Sequence, residues 1–162
     1  MKKVAKAVLL TTIFTFVASG LYAQNQKPEN GAWGLTASIQ GSQTNLQVPI
    51  WVTDDIVIAP VFGLNHQDNT FTRINLGVTP RFYQDMGSNF ASYIGARVLL
   101  QRTSPDVGPD DNDFLLGASG GGEYFLSQHF SLGVEGQLNF LFNDNGNNGI
   151  STGAAIQGTY YF

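Results

Sequence analysis

Ile150-Ser-Thr-Gly-Ala-Ala-Ile-Gln-Gly-Thr-Tyr-Tyr-Phe162 is the stretch that decides the fold. Every second residue counted back from the end gives Phe162, Tyr160, Gly158, Ile156, Ala154, Thr152 and Ile150, an apolar face with aromatics at its foot. The residues between, Tyr161, Thr159, Gln157, Ala155, Gly153 and Ser151, are small or polar apart from the tyrosine. Successive side chains of a strand point to opposite faces, so this pattern predicts a strand between two environments.

The same alternation recurs upstream. Phe130–Phe142 places Phe130, Leu132, Val134, Leu138, Phe140 and Phe142 on one face and Ser131, Glu135, Gln137 and Asn139 on the other. Phe114–Leu126, Phe90–Arg102 and Phe71–Tyr83 read the same way, and Ile56–Asn65, Thr44–Val52 and Ala32–Gln40 complete a set of eight. Pro49, Pro60 and Pro80 fall inside three of these strands. Proline removes a ladder donor, which predicts bulges or edge positions there. The count depends on a turn at Thr53-Asp54-Asp55; one bent strand from Thr44 to Leu64 would leave seven.

Charge placement sets the environment. All nine aspartates are assigned to turns or loops, whereas Arg73, Arg81, Arg97, Glu123 and Glu135 occupy the polar face of strands. Reversing the faces would direct these groups at lipid, where a midplane Arg costs about 2–4 kcal/mol. A soluble barrel with an apolar interior has the opposite polarity. Outward aromatics form two levels. Trp33, Phe82, Phe90, Tyr124, Phe130, Tyr160 and Phe162 lie at one end, and Phe62, Phe114, Phe140 and Phe142 near the other. Ten residues separate Phe114 from Tyr124; at about 3.3 Å per residue and a tilt near 40°, the levels stand about 25 Å apart, the height of an apolar band.

The bulk numbers agree. A chain of 162 residues supports one domain. Lys2, Lys3 and Lys6 precede an uncharged run from Ala7 to Ala18 and the small-residue end Leu21-Tyr22-Ala23, the layout of a secretory signal. The expected organisation is a signal peptide over 1–23, a short lead over 24–31 and a barrel over 32–162. After cleavage, four arginines and Lys27 stand against twelve acids, a net −7 that disfavours nucleic acid. With no cysteine, neither a disulfide scaffold nor a thiol-linked lipid anchor is available.

On the signal, the eight-fold alternation, the stretch Gly121-Gly-Glu-Tyr-Phe-Leu-Ser-Gln-His-Phe-Ser-Leu-Gly-Val-Glu135 and the terminal Tyr160-Tyr161-Phe162, the chain resembles the small outer-membrane barrels of Gram-negative bacteria, the OmpA/OmpX-like group. The resemblance implies an all-β, eight-stranded antiparallel up-and-down transmembrane barrel with both termini periplasmic. It implies outer-membrane lipid as the surroundings and the barrel-assembly machinery as a partner that reads Tyr160 and Phe162. A second, peptidoglycan-binding domain accompanies some of these barrels and is not expected here.

An eight-stranded barrel is just wide enough for its own side chains. Arg73, Arg81, Arg97, Glu123 and Glu135 are therefore expected to plug it through Arg–Glu pairs. The expected function is a monomeric, non-enzymatic envelope protein without cofactor, acting in structure or surface interaction through Gln101–Asp113 and Asn143–Gly149. The alternatives are a barrel for a small apolar ligand, a narrow porin-like ion path, or a lipid-modifying enzyme using His66 and Asp68. Asp106, Asp110, Asp111 and Asp113 lack the spacing of a calcium loop.

Overall fold

The computed structural model describes residues 27–41, 43–86, 89–143 and 148–162. The expected signal and the first residues of the lead lie outside them. Nine strand segments form one antiparallel sheet: β1 (Gly34–Gln40), β2 (Gln43–Gln47), β3 (Ile50–Trp51), β4 (Ile56–Gln67), β5 (Phe71–Asp85), β6 (Phe90–Pro105), β7 (Asp111–Ser127), β8 (Phe130–Asn143) and β9 (Gly149–Tyr161). Chain neighbours pair throughout except β2 and β3, which each pair with β4, and β1 pairs with both β2 and β9. Because β2 and β3 are two pieces of one stave, the sheet is a closed barrel of eight staves. Closure removes both sheet edges.

The break within the second stave has a local cause. Pairing of β2 with β4 ends at Gln47↔Val61, and pairing of β3 with β4 begins at Ile50↔Ile58. Pro49 and Pro60 lie at this gap, where two ladder donors are missing. The backbone stays anchored by Val48 N–H donating to the Pro60 carbonyl at 2.9 Å and Gly34 N–H to the Pro49 carbonyl at 2.9 Å. Pro80 interrupts the β5–β6 ladder without changing its register, which resumes at Arg81↔Gly95. The register shift that does occur lies between Phe125 and Ser127, away from any proline. Thr53–Asp55 is a true turn. Val52 N–H donates to the Ile56 carbonyl at 2.9 Å, and Thr53 Oγ1 accepts from Ile56 N–H at 3.0 Å.

At one end, which we call the turn end, the connections are short and the residues preceding β1 lie beside Phe162, whose N–H donates to the Trp33 carbonyl at 2.8 Å. At the loop end the strands run further than expected. Gln101–Asp113 is not a loop: β6 continues to Pro105 and β7 starts at Asp111, with Gln101↔Asp113 and Thr103↔Asp111 in register. Asp111 and Asp113 are therefore strand residues, and Asp85 closes β5, so the aspartates are not confined to turns and loops. The reason is that Asp113 faces the lumen, where Gln101 Nε2 donates to it at 3.0 Å and Asn143 Nδ2 at 2.7 Å. Composition reads such a polar segment as a loop although it continues the alternation. The remaining connection, 106–110, turns at Gly108, whose φ of +119° lies in a region that side-chain-bearing residues avoid.

The alternation places the core inside and the apolar belt outside. Ile94, Leu100, Val134 and Ile156 are 60–70 % exposed, whereas Arg81, Glu123 and Glu135 are 1–5 % exposed. All eleven aromatics assigned to the two outer levels are exposed on the outer wall. At the turn end Trp33 stacks on Phe162 at 4.3 Å, and Phe162 meets Tyr160 edge-on at 5.0 Å.

Candidate functional site in the barrel lumen

The lumen is filled in layers. At the turn end the four strands that run toward it each finish with an inward aromatic: Trp51 on β3, Tyr83 on β5, Phe125 on β7 and Tyr161 on β9. Their rings approach one another, Trp51 to Tyr83 at 4.8 Å and Phe125 to Tyr161 at 6.3 Å. Their backbone N–H groups reach neighbouring connections: Trp51 donates to Ala32, Tyr83 to Asp55, Phe125 to Asn89 and Tyr161 to His129. Below this plug residues 27–31 lie against the opening, with Gly31 N–H donating to the Trp51 carbonyl at 2.8 Å. Lys27 Nζ lies 3.2 Å from Asp55 and 3.0 Å from Asp85, and 5.4 Å from the centre of the Trp51 ring. One cation thereby joins the Thr53–Asp55 turn, the end of β5 and the plug.

The next layer holds the buried charges. Glu123 receives Tyr83 Oη at 2.6 Å, Tyr161 Oη at 2.9 Å and the Ser131 hydroxyl. A carboxylate out of contact with bulk water needs such donors or a cation; here hydroxyls serve. Glu135 receives Arg81 Nη2 at 3.1 Å, Tyr93 Oη at 2.8 Å and Gln137 Nε2 at 2.7 Å. Arg81 also donates to Gln47 Oε1 at 2.7 Å and Gln157 Oε1 at 3.3 Å, and lies 4.8 Å from the Tyr93 ring centre. The five charged residues expected to share a network thus divide. Arg81 and Glu135 form a direct ion pair, Glu123 is held by hydroxyls, and Arg97 lies in the same region without a direct partner among the described residues. Arg73 stands apart toward the loop end, bonded to Thr103 at 3.2 Å and lying over Phe71.

Above the charges, Val61, Leu99 and Leu115 form an apolar collar with Leu141 against it. Alternation by itself does not mark Trp51, Tyr83 and Lys27 as plug residues. The available signal was the aromatic pair at the foot of successive descending strands, Phe82-Tyr83, Tyr124-Phe125 and Tyr160-Tyr161, in which one ring must face inward.

At the loop end His66 Nε2 lies 3.0 Å from Asp68 Oδ1, and His66 Nδ1 lies 2.9 Å from Thr72 Oγ1. His66 and Asp68 do meet, but on a hairpin where they are 56 % and 92 % exposed, open to water. The loop acids do not converge: Arg102 holds Asp110 at 2.6 Å while Asp113 points into the lumen. Among the described residues no group of three His, Asp or Glu side chains is arranged to hold a metal ion.

No family model matches the chain, and no curated protein matches its sequence. Solved structures do share the fold. The N-terminal β-barrel domain of Pseudomonas aeruginosa OprF superposes with a TM-score of 0.64 at 13 % identity, covering 82 % of this chain and 98 % of that one. Neisserial surface protein A (NspA) superposes with a TM-score of 0.61 at 16 % identity, covering 81 % and 94 %. The architecture is that of the small outer-membrane β-barrels.

Proposed function

We propose that this chain is a non-enzymatic protein of the Gram-negative outer membrane, exported through the signal at 1–23. Its plugged barrel anchors exposed hairpins that contribute to envelope structure or surface interaction. The observation that carries the reading is the polarity of the wall. Ile94, Leu100, Val134 and Ile156 face outward while Arg81, Arg97, Glu123 and Glu135 are buried within. A water-soluble barrel gains by the reverse arrangement, since buried apolar area drives its folding. A bilayer favours an apolar wall and tolerates charge only in the lumen.

In this reading the turn end is periplasmic, with both termini there, and the β4–β5, β6–β7 and β8–β9 hairpins face outside. Outer-membrane lipid surrounds the two aromatic levels, and Tyr160 and Phe162 serve the assembly machinery. The chain works as a monomer. The alternative of a pocket for a small apolar ligand is disfavoured by the charged middle layer. An open ion path is disfavoured by the aromatic plug and the Lys27 strap.

Membrane fractionation with a comparison of boiled and unboiled gel mobility tests the assignment. The expected result is recovery with the outer membrane and a heat-dependent mobility shift. A soluble periplasmic protein with no shift would overturn it.

A further inference from the structure

We propose that the free edge of β9 is a docking site for an extended polypeptide segment, which adds to the barrel wall as a further strand. The β8–β9 ladder runs on to Leu141↔Gly149, whereas the β1–β9 ladder stops at Ile39↔Ile156. β1 turns back at Gly41, whose φ is +58°, and Gln40 already pairs with Gln43 of β2. Among the described residues no strand lies against β9 from Gly149 to Ala155 on the side of β1. Ser151 marks the missing wall: it faces inward yet is exposed, while its partner Asn139 is 5 % exposed. The other rim of the gap is β4, which pairs with β2 only as far as Leu64↔Thr44 but with β5 to Gln67↔Phe71.

Parity identifies the backbone groups on this edge. Successive residues of an antiparallel strand direct their N–H and C=O to opposite neighbours. Phe162 N–H donates to Trp33, on the β1 side, and Tyr161 N–H to His129, on the β8 side. Even-numbered residues of β9 therefore address β1. Beyond Ile156 these are Ala154, Thr152 and Ile150, whose donors and acceptors stand in line with the β1 ladder. Sheet edges in native proteins are blunted by charge, proline or a bulge. The run Gly149-Ile-Ser-Thr-Gly-Ala-Ala155 has no charge and no proline, and its pairing with β8 keeps register. Ile150 is 71 % exposed and pairs with Phe140 of the outer aromatic level. Toward Ala154 the edge descends below that level, where a bare N–H or C=O against hydrocarbon is costly.

The chemistry selects the occupant. A lipid phosphate only accepts hydrogen bonds and an acyl chain makes none, whereas an extended backbone supplies donors and acceptors in the alternation that this edge presents. A second copy fits poorly. Strands of such a barrel tilt about 40° from its axis, so the facing walls of two barrels in one bilayer cross at about 80° and cannot extend one ladder. Side chains set the pattern of the segment. On the outer face it lies beside Ile150 and Thr152, where β-branched residues pair well. On the inner face the Gln40 side chain lies over Gly153, which leaves room only for small residues. The partner is an uncharged extended segment with β-branched residues outward and small residues inward. The inference rests on the reading of the loop end as the outer surface and names the class of its surface partner.

The test is amide exchange of the full refolded barrel in lipid nanodiscs, read by NMR with and without a peptide alternating valine and serine. The peptide should slow exchange at Ile150, Thr152 and Ala154 by about tenfold or more, while Ser151, Gly153 and Ala155, already bonded to β8, stay unchanged. The same peptide with a methylated backbone should have no effect. Thr152→Pro removes a donor that points into the gap and spares the β8 ladder, so this barrel is expected to fold and to lose the protection. Ile150→Lys places a guarding charge on the edge and should weaken the protection even if Thr152→Pro fails to fold. No protection by the peptide, equal protection by its methylated form, or unchanged protection in Ile150→Lys would overturn the proposal. Protection that rises with barrel concentration in the absence of peptide would assign the edge to a second copy and overturn it equally. Membrane fractionation is read separately, so a membrane-inserted barrel that ignores the peptide overturns this inference alone.

Discussion

Arg81 on β5 and Glu135 on β8 meet across the lumen, Nη2 to Oε2 at 3.1 Å, joining staves that share no ladder. Both side chains are almost wholly buried. Glu135→Ala leaves Arg81 without its counter-charge, and breaking a buried pair in this way costs about 3–5 kcal/mol. Urea unfolding of the refolded barrel measures it. Removing both charges together, as Arg81→Met with Glu135→Leu, should cost less than Glu135→Ala alone. If the double variant loses the sum of the two single losses, the pair is not the coupling element.

Glu123 tests the same question without a cation. Tyr161→Phe deletes one of its hydroxyl donors and keeps the ring against Phe125. A hydrogen bond to a charged group is worth about 1.5–3 kcal/mol, and that loss is expected in the same unfolding experiment. Glu123→Gln relieves the charge but cannot accept from three hydroxyls equally, and should fall between Tyr161→Phe and native. A Tyr161→Phe barrel as stable as native would show that Glu123 does not depend on this donor.

Much of this interior was legible from alternation alone. The terminal strand, the assignment of Arg81, Arg97, Glu123 and Glu135 to the inner face, and the outward girdle residues all follow from a period of two. Trp51 and Tyr83 do not stand out as plug residues because hydropathy assigns aromatics to the apolar side, and only the paired aromatics at strand feet reveal that one must turn in. Asp113 has the composition of a loop residue, and its partners, Gln101 and Asn143, come from two other strands. The hydroxyl cage of Glu123 joins residues far apart in the chain, a relation that strand order permits but residue type does not specify.

The strap at the turn end is held through Lys27, whose side chain is 11 % exposed while Asp55 and Asp85 are 55 % exposed. Pairs with such open partners are worth about 0.2–1 kcal/mol each. Lys27→Ala should therefore change global stability little but release the lead. Limited proteolysis of the refolded barrel is expected to trim residues 27–31 faster in the variant at unchanged unfolding midpoint. Equal trimming rates would mean that the backbone bonds of Gly31 and Ala32 hold the lead without Lys27.

At the loop end, hydrogen bonding from Arg102, with a further contribution from Ser104, holds the Asp110 carboxyl below the usual Asp range. The sign follows: a depressed folded value makes the contact favourable above the unfolded value, about 3.9, and it is lost as pH falls through the lower folded value. Stability coupled to this group therefore rises with pH in that window. Carbon-detected titration of Asp110 should give a midpoint below an ordinary Asp, and Arg102→Gln should return it upward. An unchanged midpoint in the variant would assign the effect elsewhere.

The outer wall gives the sharpest separation between a membrane barrel and a soluble one. Leu138 on β8 is exposed, faces outward and pairs with Ala118 on β7, midway between Phe114 and Tyr124. In water, replacing an exposed Leu by Arg on such a surface changes stability by no more than about 0.5 kcal/mol. At a bilayer midplane the same substitution costs about 2–4 kcal/mol, falling toward 0–1 near the interfaces. Leu138→Arg measured in lipid vesicles should show the larger loss. Phe130→Arg, at the turn-end girdle, serves as the depth control and should lose less through its charge, because its head reaches the interface. Equal and small losses at both positions would remove the lipid-facing assignment of this wall.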